Sequence, residues 1–384
     1  MKKVLLIGIG GVYNYGCEAI VRGTYNILKK VYPEVNVSYA SYNYVFDKER
    51  LKDLDITILE RENCRKWSIK NIIRKICSLV GIKYNISFDN FRQLKNFDSV
   101  FSIGGDIYTL NSDNSYNDSL PKFMSNLQKS GVKYILWGCS VGPFDSNLRA
   151  LKFYRSHLKS IDAIIAREYE TISYLRQIGV YDNVTFAPDP AFMVEGPSKN
   201  QLGEKSEKFT IGINLSPLSA LYEYGSIENA IKEQRKIIEA LIDKYDADII
   251  LLPHVLARYP LDNDLNYLLK IKDQLSDCVS KRVKIIDNDP GFIGIKEEII
   301  KCDIVLAARM HCAINAICCE VPTLFISYSK KAIGMSEFVY GSENNVITLK
   351  DFTNFEILSD KIDKLISCVV DVKKIRKFNY KEIL

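Results

Sequence analysis

Short apolar runs alternate with longer amphipathic ones from one end of this chain to the other, and that alternation limits the fold more than any other feature. The first series is VLLIGI (4–9), VSYASY (37–42), DITIL (55–59), SVFSIG (99–104), YILWGCSVG (134–142), AIIAR (163–167) and VTFAP (184–188). A second series follows: TIGINLS (210–216), DIILLPH (248–254), VKIID (283–287), DIVLAA (303–308) and TLFISY (323–328). Runs of this length with few polar positions are strands buried on both faces, which requires a helix layer on each side. Helical patterns at 16–31, 119–130, 147–160, 168–178, 228–245, 311–320 and 354–370 supply those layers. The expectation is parallel sheets of α/β type. Between the two series lies VEGPSKNQLGEKSEK (194–208), polar and without periodicity. It divides the chain into one α/β domain at 1–195 and another at 209–384, as expected for 384 residues, more than a single core usually holds. The predicted architecture is two Rossmann-like parallel-sheet domains facing each other across a cleft.

Charge narrows the partners. The chain carries 52 basic and 47 acidic residues, a net +5 spread along its length, which suits small anions or a membrane surface and gives no nucleic-acid footprint. Its ten cysteines include several inside apolar runs (Cys77, Cys302, Cys318, Cys368) and form no C-x-x-C pair. They read as reduced thiols of a cytoplasmic protein, with no metal site. The opening MKKVLLIGIGG ends in a glycine turn and reads as a first strand, not a signal peptide. No stretch reaches the roughly 18 apolar residues of a membrane span. RKWSIKNIIRKICSLVGIKY (65–84) is basic and amphipathic, which fits either peripheral membrane contact or a buried helix with basic flanks.

In open α/β sheets ligands bind beyond the carboxyl ends of the strands, and the chemically distinctive residues cluster there. GIGGVYNYGCEA (8–19) joins a strand to a helix but has Tyr13 where a dinucleotide loop needs glycine, and Cys17 and Glu18 where a P-loop has Lys and Ser/Thr. Asn14 and Glu18 therefore face a neutral ligand such as a sugar, or Glu18 merely suits the helix dipole. SIGGDIYT (102–109) is a second glycine turn, whose Asp106 either orients or deprotonates a hydroxyl or caps a helix. Arg167 ends a strand as an anion clamp or as a partner for Glu168 and Glu170. In ARMHC (307–311), Arg309 and His311 stand where the free N–H groups of a new helix point outward. A guanidinium there grips an anion, and the imidazole beside it is poised to transfer a proton. His254 ends a strand with no charge near it until Arg258, His157 reads as a surface residue among lysines, and Lys330 and Lys331 follow the next strand within reach of the same anion.

In this order the motifs resemble the polysaccharide pyruvyl transferase family: N-x-G-x-E-A-I (Asn14 to Ile20), G-G-D (Gly104 to Asp106), S-V-G-P (Ser140 to Pro143), Arg167 with Glu168, D-P-A-F (Asp189 to Phe192), then R-x-H, V-P and S-Y-x-x-K (Arg309, His311, Val321, Pro322, Ser327, Tyr328, Lys330, Lys331). Cys17 stands where aspartate is usual, Met310 where leucine is common and Glu320 where glycine is usual. The resemblance implies a GT-B-like fold, an acceptor-side N-terminal domain and a C-terminal domain that holds phosphoenolpyruvate. It makes Arg167 and Arg309 clamps on the donor's phosphate and carboxylate, with Met310 and Lys330 beside them, and His311 the proton-transfer residue. Glu18 or Asp106 would serve the acceptor hydroxyls. The implied reaction forms a cyclic pyruvate ketal on a polysaccharide or lipid-linked glycan and needs no cofactor beyond the donor. A nucleotide-sugar glycosyltransferase of the same architecture is the rival, and a non-catalytic anion-binding partner is the third reading.

Overall fold

The computed structural model describes residues 2–61, 94–199, 208–327 and 331–384; the basic stretch 65–84 and Lys330 lie outside them. By contact the chain forms two compact units. Unit 1 comprises Met1–Val12, Tyr25–Asp189 and Asn379–Leu384, and unit 2 comprises Tyr13–Thr24 and Pro190–Phe378. This division differs from a single cut between 195 and 209. Tyr15 and Ala19 are the physical reason, since they pack into one core cluster with Phe292, Ile295 and Cys312 of unit 2.

The strands of unit 1 are β1 (Lys3–Ile7), β2 (Asn36–Ser41), β3 (Thr57–Glu60), β4 (Ser99–Ile103), β5 (Asp106–Tyr108), β6 (Lys133–Val141), β7 (Ala163–Ala166) and β8 (Val184–Phe186). Their order is β3-β2-β1-β4-β6-β7-β8, with β5 paired to β6. Unit 2 holds β9 (Thr210–Asn214), β10 (Asp248–Leu251), β11 (Val283–Ile285), β12 (Ile304–Ala307), β13 (Thr323–Ser327) and β14 (Val346–Thr348), in the order β11-β10-β9-β12-β13-β14. Both sheets are parallel. Both orders reverse direction beside their first strand, the doubly wound pattern, so each unit has a switch point: β1/β4 in the first and β9/β12 in the second.

Alternation along the strands builds a core on each face. In unit 2, Ile249, Leu251, Ile304 and Leu306 join one buried cluster, while Ile250, Leu252, Val305 and Ala307 join the other. Gly212 of β9 sits where a Cβ would come within 3.0 Å of Cys302, Leu252 and Val305 atoms, so the central strand has no room for a side chain there. Among the described residues no helix is long and apolar enough to cross a membrane.

One helix shows how unit 1 treats a buried polar group. His157, on helix Leu148–Ser160, is buried rather than at the surface as its lysine neighbours suggested. Its Nε2 lies 3.1 Å from the Tyr108 hydroxyl, which lies 2.9 Å from that of Tyr134, and its Nδ1 lies 3.2 Å from Ser125 Oγ. Burial lowers its pKa to about 4. The unfolded chain takes up the proton near pH 6.5, so between those values it binds more protons than the folded one. The stabilisation is whole above pH 6.5 and is lost as pH falls toward 4, on the order of 3 kcal/mol in all. Urea unfolding from pH 7 to 4 will show this decline, and His157→Gln will flatten it.

Candidate functional site

The switch point of unit 2 is built around one carboxylate. Asp264 begins helix Asp264–Lys272 and is fully buried. Its Oδ2 accepts from the backbone N–H groups of His254 and Val255, each at 3.1 Å, and from Asn214 Nδ2 at 3.4 Å. Its Oδ1 accepts from Arg309 Nε at 3.2 Å and Nη2 at 2.8 Å. Asn214, the last residue of β9, links the ends of its two neighbours β10 and β12: Nδ2 donates to the Leu252 carbonyl (2.8 Å), and Oδ1 accepts the Arg309 backbone N–H (2.8 Å). Burial raises the pKa of the Asp264 carboxyl, and Arg309 with the two backbone N–H groups offsets part of that rise.

Arg309 is thereby committed. Nη2 also donates to Asp262 Oδ1 at 2.7 Å, so one guanidinium faces two carboxylates, and only Nη1 makes no hydrogen bond among the described residues. Burial works against its charge, but Asp264 and Asp262 outweigh that and raise its pKa. These bonds form a clasp that ties the end of β12 to the loop after β10.

His311 lies in the first turn of helix Met310–Cys318, just past β12. The N-terminal turn meets it there. Gly16 is so close that a Cβ on it would lie 2.5 Å from His311 Nδ1 and 3.1 Å from Asn14 Oδ1, which is why the N-x-G spacing needs glycine. Asn14 Oδ1 accepts the Gly16 N–H (2.9 Å), and Asn14 bridges to Val255. Met310, half-buried, packs on the hydrophobic cluster behind the site. Glu18 is buried, with Oε1 bonded to Arg22 Nε (2.8 Å) and Oε2 to the Phe292 N–H (3.0 Å). Its charge is compensated and both oxygens are engaged, so it ties the first helix to the Phe292 turn and is poorly placed to accept a substrate proton.

His254 is buried, its ring edge-on to Tyr15 at 5.6 Å and its Nε2 3.4 Å from Asn315 Nδ2. Burial first, then the nearby His311, Lys296 and Arg309, push its pKa down to about 3, so it is neutral. Asn315 and Lys296 escaped the sequence reading. Asn315 falls four residues after His311 on one helix, a spacing that puts both on one face and could have revealed it. Lys296, in GIKEEII, carries no local signal.

Unit 1 holds the remaining expected residues among those described, Asp106 just past β4 and Arg167 just past β7. Arg167 Nη1 donates to the buried Asp189 at 2.7 Å, and a Cβ on Gly105 would lie 2.7 Å from its Nη2. Burial opposes its charge, yet Asp189, Glu168 and Asp106 raise its pKa. Asp106 is exposed at the start of β5. Asn14, Glu18, His254, Arg309, Met310 and His311 are thus together in unit 2, and Asp106 and Arg167 in unit 1. Among the described residues no group of three or more His, Cys, Asp or Glu could hold a metal ion.

The family model of polysaccharide pyruvyl transferase matches residues 14–330. The chain belongs to the polysaccharide pyruvyl transferase family. No protein of curated function matches it by sequence. Solved structures share its fold at low identity. Anabaena HepE, in a complex with UDP and glucose, is 14% identical with a TM-score of 0.55 over 100% of this chain and 97% of its own. The UDP-GlcNAc 2-epimerase of Methanocaldococcus jannaschii is 13% identical with a TM-score of 0.57 over 96% and 93%. MurG of Acinetobacter baumannii is 11% identical with a TM-score of 0.51 over 96% and 91%. These likenesses are to GT-B-like proteins, and the chain shares with them two parallel-sheet α/β domains. Glu320 adopts φ 60° just past the end of helix Met310–Cys318. There the N–H groups of Glu320 and Val321 close onto the carbonyls of Ile317 and Ala316 (2.9 and 3.0 Å), the Schellman closure in which glycine is favoured.

The clasp contributes to the stability of unit 2. Asp264→Ala breaks the buried ion pair and leaves Arg309 only the part-exposed Asp262, and will cost about 3–5 kcal/mol in urea unfolding. Asp262→Ala, with Asp262 about one-third exposed, will cost under about 1 kcal/mol.

Proposed function

We propose that this pyruvyl transferase takes the pyruvyl group of phosphoenolpyruvate and joins it to two hydroxyls of one sugar in a polysaccharide or lipid-linked glycan precursor, closing a cyclic ketal and releasing phosphate. The observation that carries the reading is the place of His311, at a strand-end switch point and against the Asn14–Gly16 turn that bears the family's own motif. That turn and the helix start hold the ring from two sides, which is the fixed geometry a proton donor needs.

Protonation of the donor's methylene carbon by His311 makes a methyl group and leaves positive charge on the neighbouring carbon. One sugar hydroxyl attacks that carbon and loses its proton. The second hydroxyl then displaces the phosphate and closes the ring. No electron is gained or lost, so donor and acceptor alone balance the reaction. Arg309 offers the donor its Nη1 edge, and Arg167 with Lys330 remains a proposed anion contact. Asp106 is the hydroxyl-orienting group or base on the acceptor side, and Glu18 is tied to Arg22 and the Phe292 N–H. A lipid-linked acceptor would bring the enzyme to a membrane face from the cytoplasm.

Phosphate release from phosphoenolpyruvate in the presence of candidate glycans tests the reading. His311→Gln will lower kcat by roughly 10²–10⁴ while the fold persists. Undiminished turnover by that variant would remove His311 from the chemistry. A wild-type enzyme that ignores phosphoenolpyruvate and transfers sugar from a nucleotide sugar would overturn the proposal.

A further inference from the structure

The cation best placed to meet an anion in unit 2 lies deeper than Arg309. Lys296 has no exposed surface at all, yet its Nζ makes no hydrogen bond and no ion pair among the described residues. Among the described residues Nζ faces the ring of Phe292, 4.8 Å from the centroid, which offsets only part of the several kcal/mol that burying an ammonium costs. Its stem is accommodated deliberately, since a Cβ on Gly196 would fall 2.3 Å from Lys296 Cδ. Phe292 joins Lys296 to the site: its carbonyl accepts Asn315 Nδ2 at 3.1 Å, and Asn315 Nδ2 lies 3.4 Å from His254 Nε2. Asn315 Oδ1 is also buried without a hydrogen-bond partner among the described residues. An acceptor-free cation and a donor-free amide oxygen in one buried cluster call for a ligand that brings negative oxygens and a hydroxyl or water.

Charge decides between the two cations. Arg309 with Asp262 and Asp264 sums to one negative charge, whereas Lys296 beside a neutral His254 sums to one positive. We propose that Lys296 is the residue whose charge holds the oxyanion of the donor in unit 2, with Arg309 acting chiefly as a clasp. The inference rests on the phosphoenolpyruvate reading above. Phosphate and carboxylate of the donor share the chemistry, and the test separates them.

Binding of phosphoenolpyruvate, inorganic phosphate and pyruvate to the full chain is measured by calorimetry, alongside turnover and thermal unfolding without ligand. Lys296→Met will weaken phosphoenolpyruvate binding by at least about tenfold and leave the ligand-free unfolding midpoint unchanged or higher, because a buried charge has been removed. An equal loss with inorganic phosphate assigns the phosphate to Lys296, and an equal loss with pyruvate assigns the carboxylate. Lys296→Gln, closer in length, serves as the second variant. If both variants bind phosphoenolpyruvate as tightly as a wild type that turns it over, the inference fails and the functional reading stands. Loss of the fold in both makes Lys296 a packing element and also overturns it. A wild type that neither binds nor uses phosphoenolpyruvate removes the reading itself.

Discussion

The buried Asp264 carboxylate is the interaction on which the rest of the unit 2 site depends. Its two oxygens gather the backbone after β10, the Asn214 side chain at the end of β9 and the Arg309 side chain beyond β12. Three parallel strands end there, each with backbone groups that the ladder no longer satisfies. A single acid buried among them, neutralised by one guanidinium and fed by two N–H groups, converts loose strand ends into a rigid floor. His254 and His311 take their places from that floor: the first through its own backbone N–H, the second through the helix that Arg309 introduces.

Much of this was legible in the sequence. All twelve apolar runs became strands within a few residues of their expected limits, because a strand buried on both faces has a composition that little else shares. The two missed strands are short: β5 opens on Asp106 inside a glycine turn, and β14 follows the polar Glu343–Asn345. Neither is long enough to show a period. Strand-end logic also found His254, Arg309 and His311. It could not find what those groups touch. Asp262 and Asp264, which decide how much charge Arg309 has to spare, lie about 45 residues upstream, and only folding brings them together. His157 was misjudged because lysine neighbours in sequence say nothing of the face a helix buries. Lys296 was missed for the opposite reason, an ordinary residue made unusual by its surroundings.

The charges of the two units are arranged on one pattern. Each has an arginine at a strand end, Arg167 or Arg309, held by a fully buried aspartate, Asp189 or Asp264. Such pairs fix geometry well and attract a further anion less than a free cation does, since the partner's field cancels much of the arginine's. The N-terminal turn follows the same economy. Glu18 is balanced by Arg22, and Asn14 is turned onto Gly16. Lys296, in contrast, is buried with no ion pair among the described residues. Residues that build the floor at the strand ends are thus distinct from the one that leaves charge available to a substrate.

With three histidines in the chain, their imidazole proton resonances are few enough to follow one by one, and a titration with phosphoenolpyruvate watched by NMR is the most direct test of a donor site at the second sheet's switch point. The account predicts that the signals of His311 and His254 move together and saturate while that of His157, inside unit 1, stays still. Silence at both with phosphoenolpyruvate, and movement with UDP-glucose in its place, would contradict it.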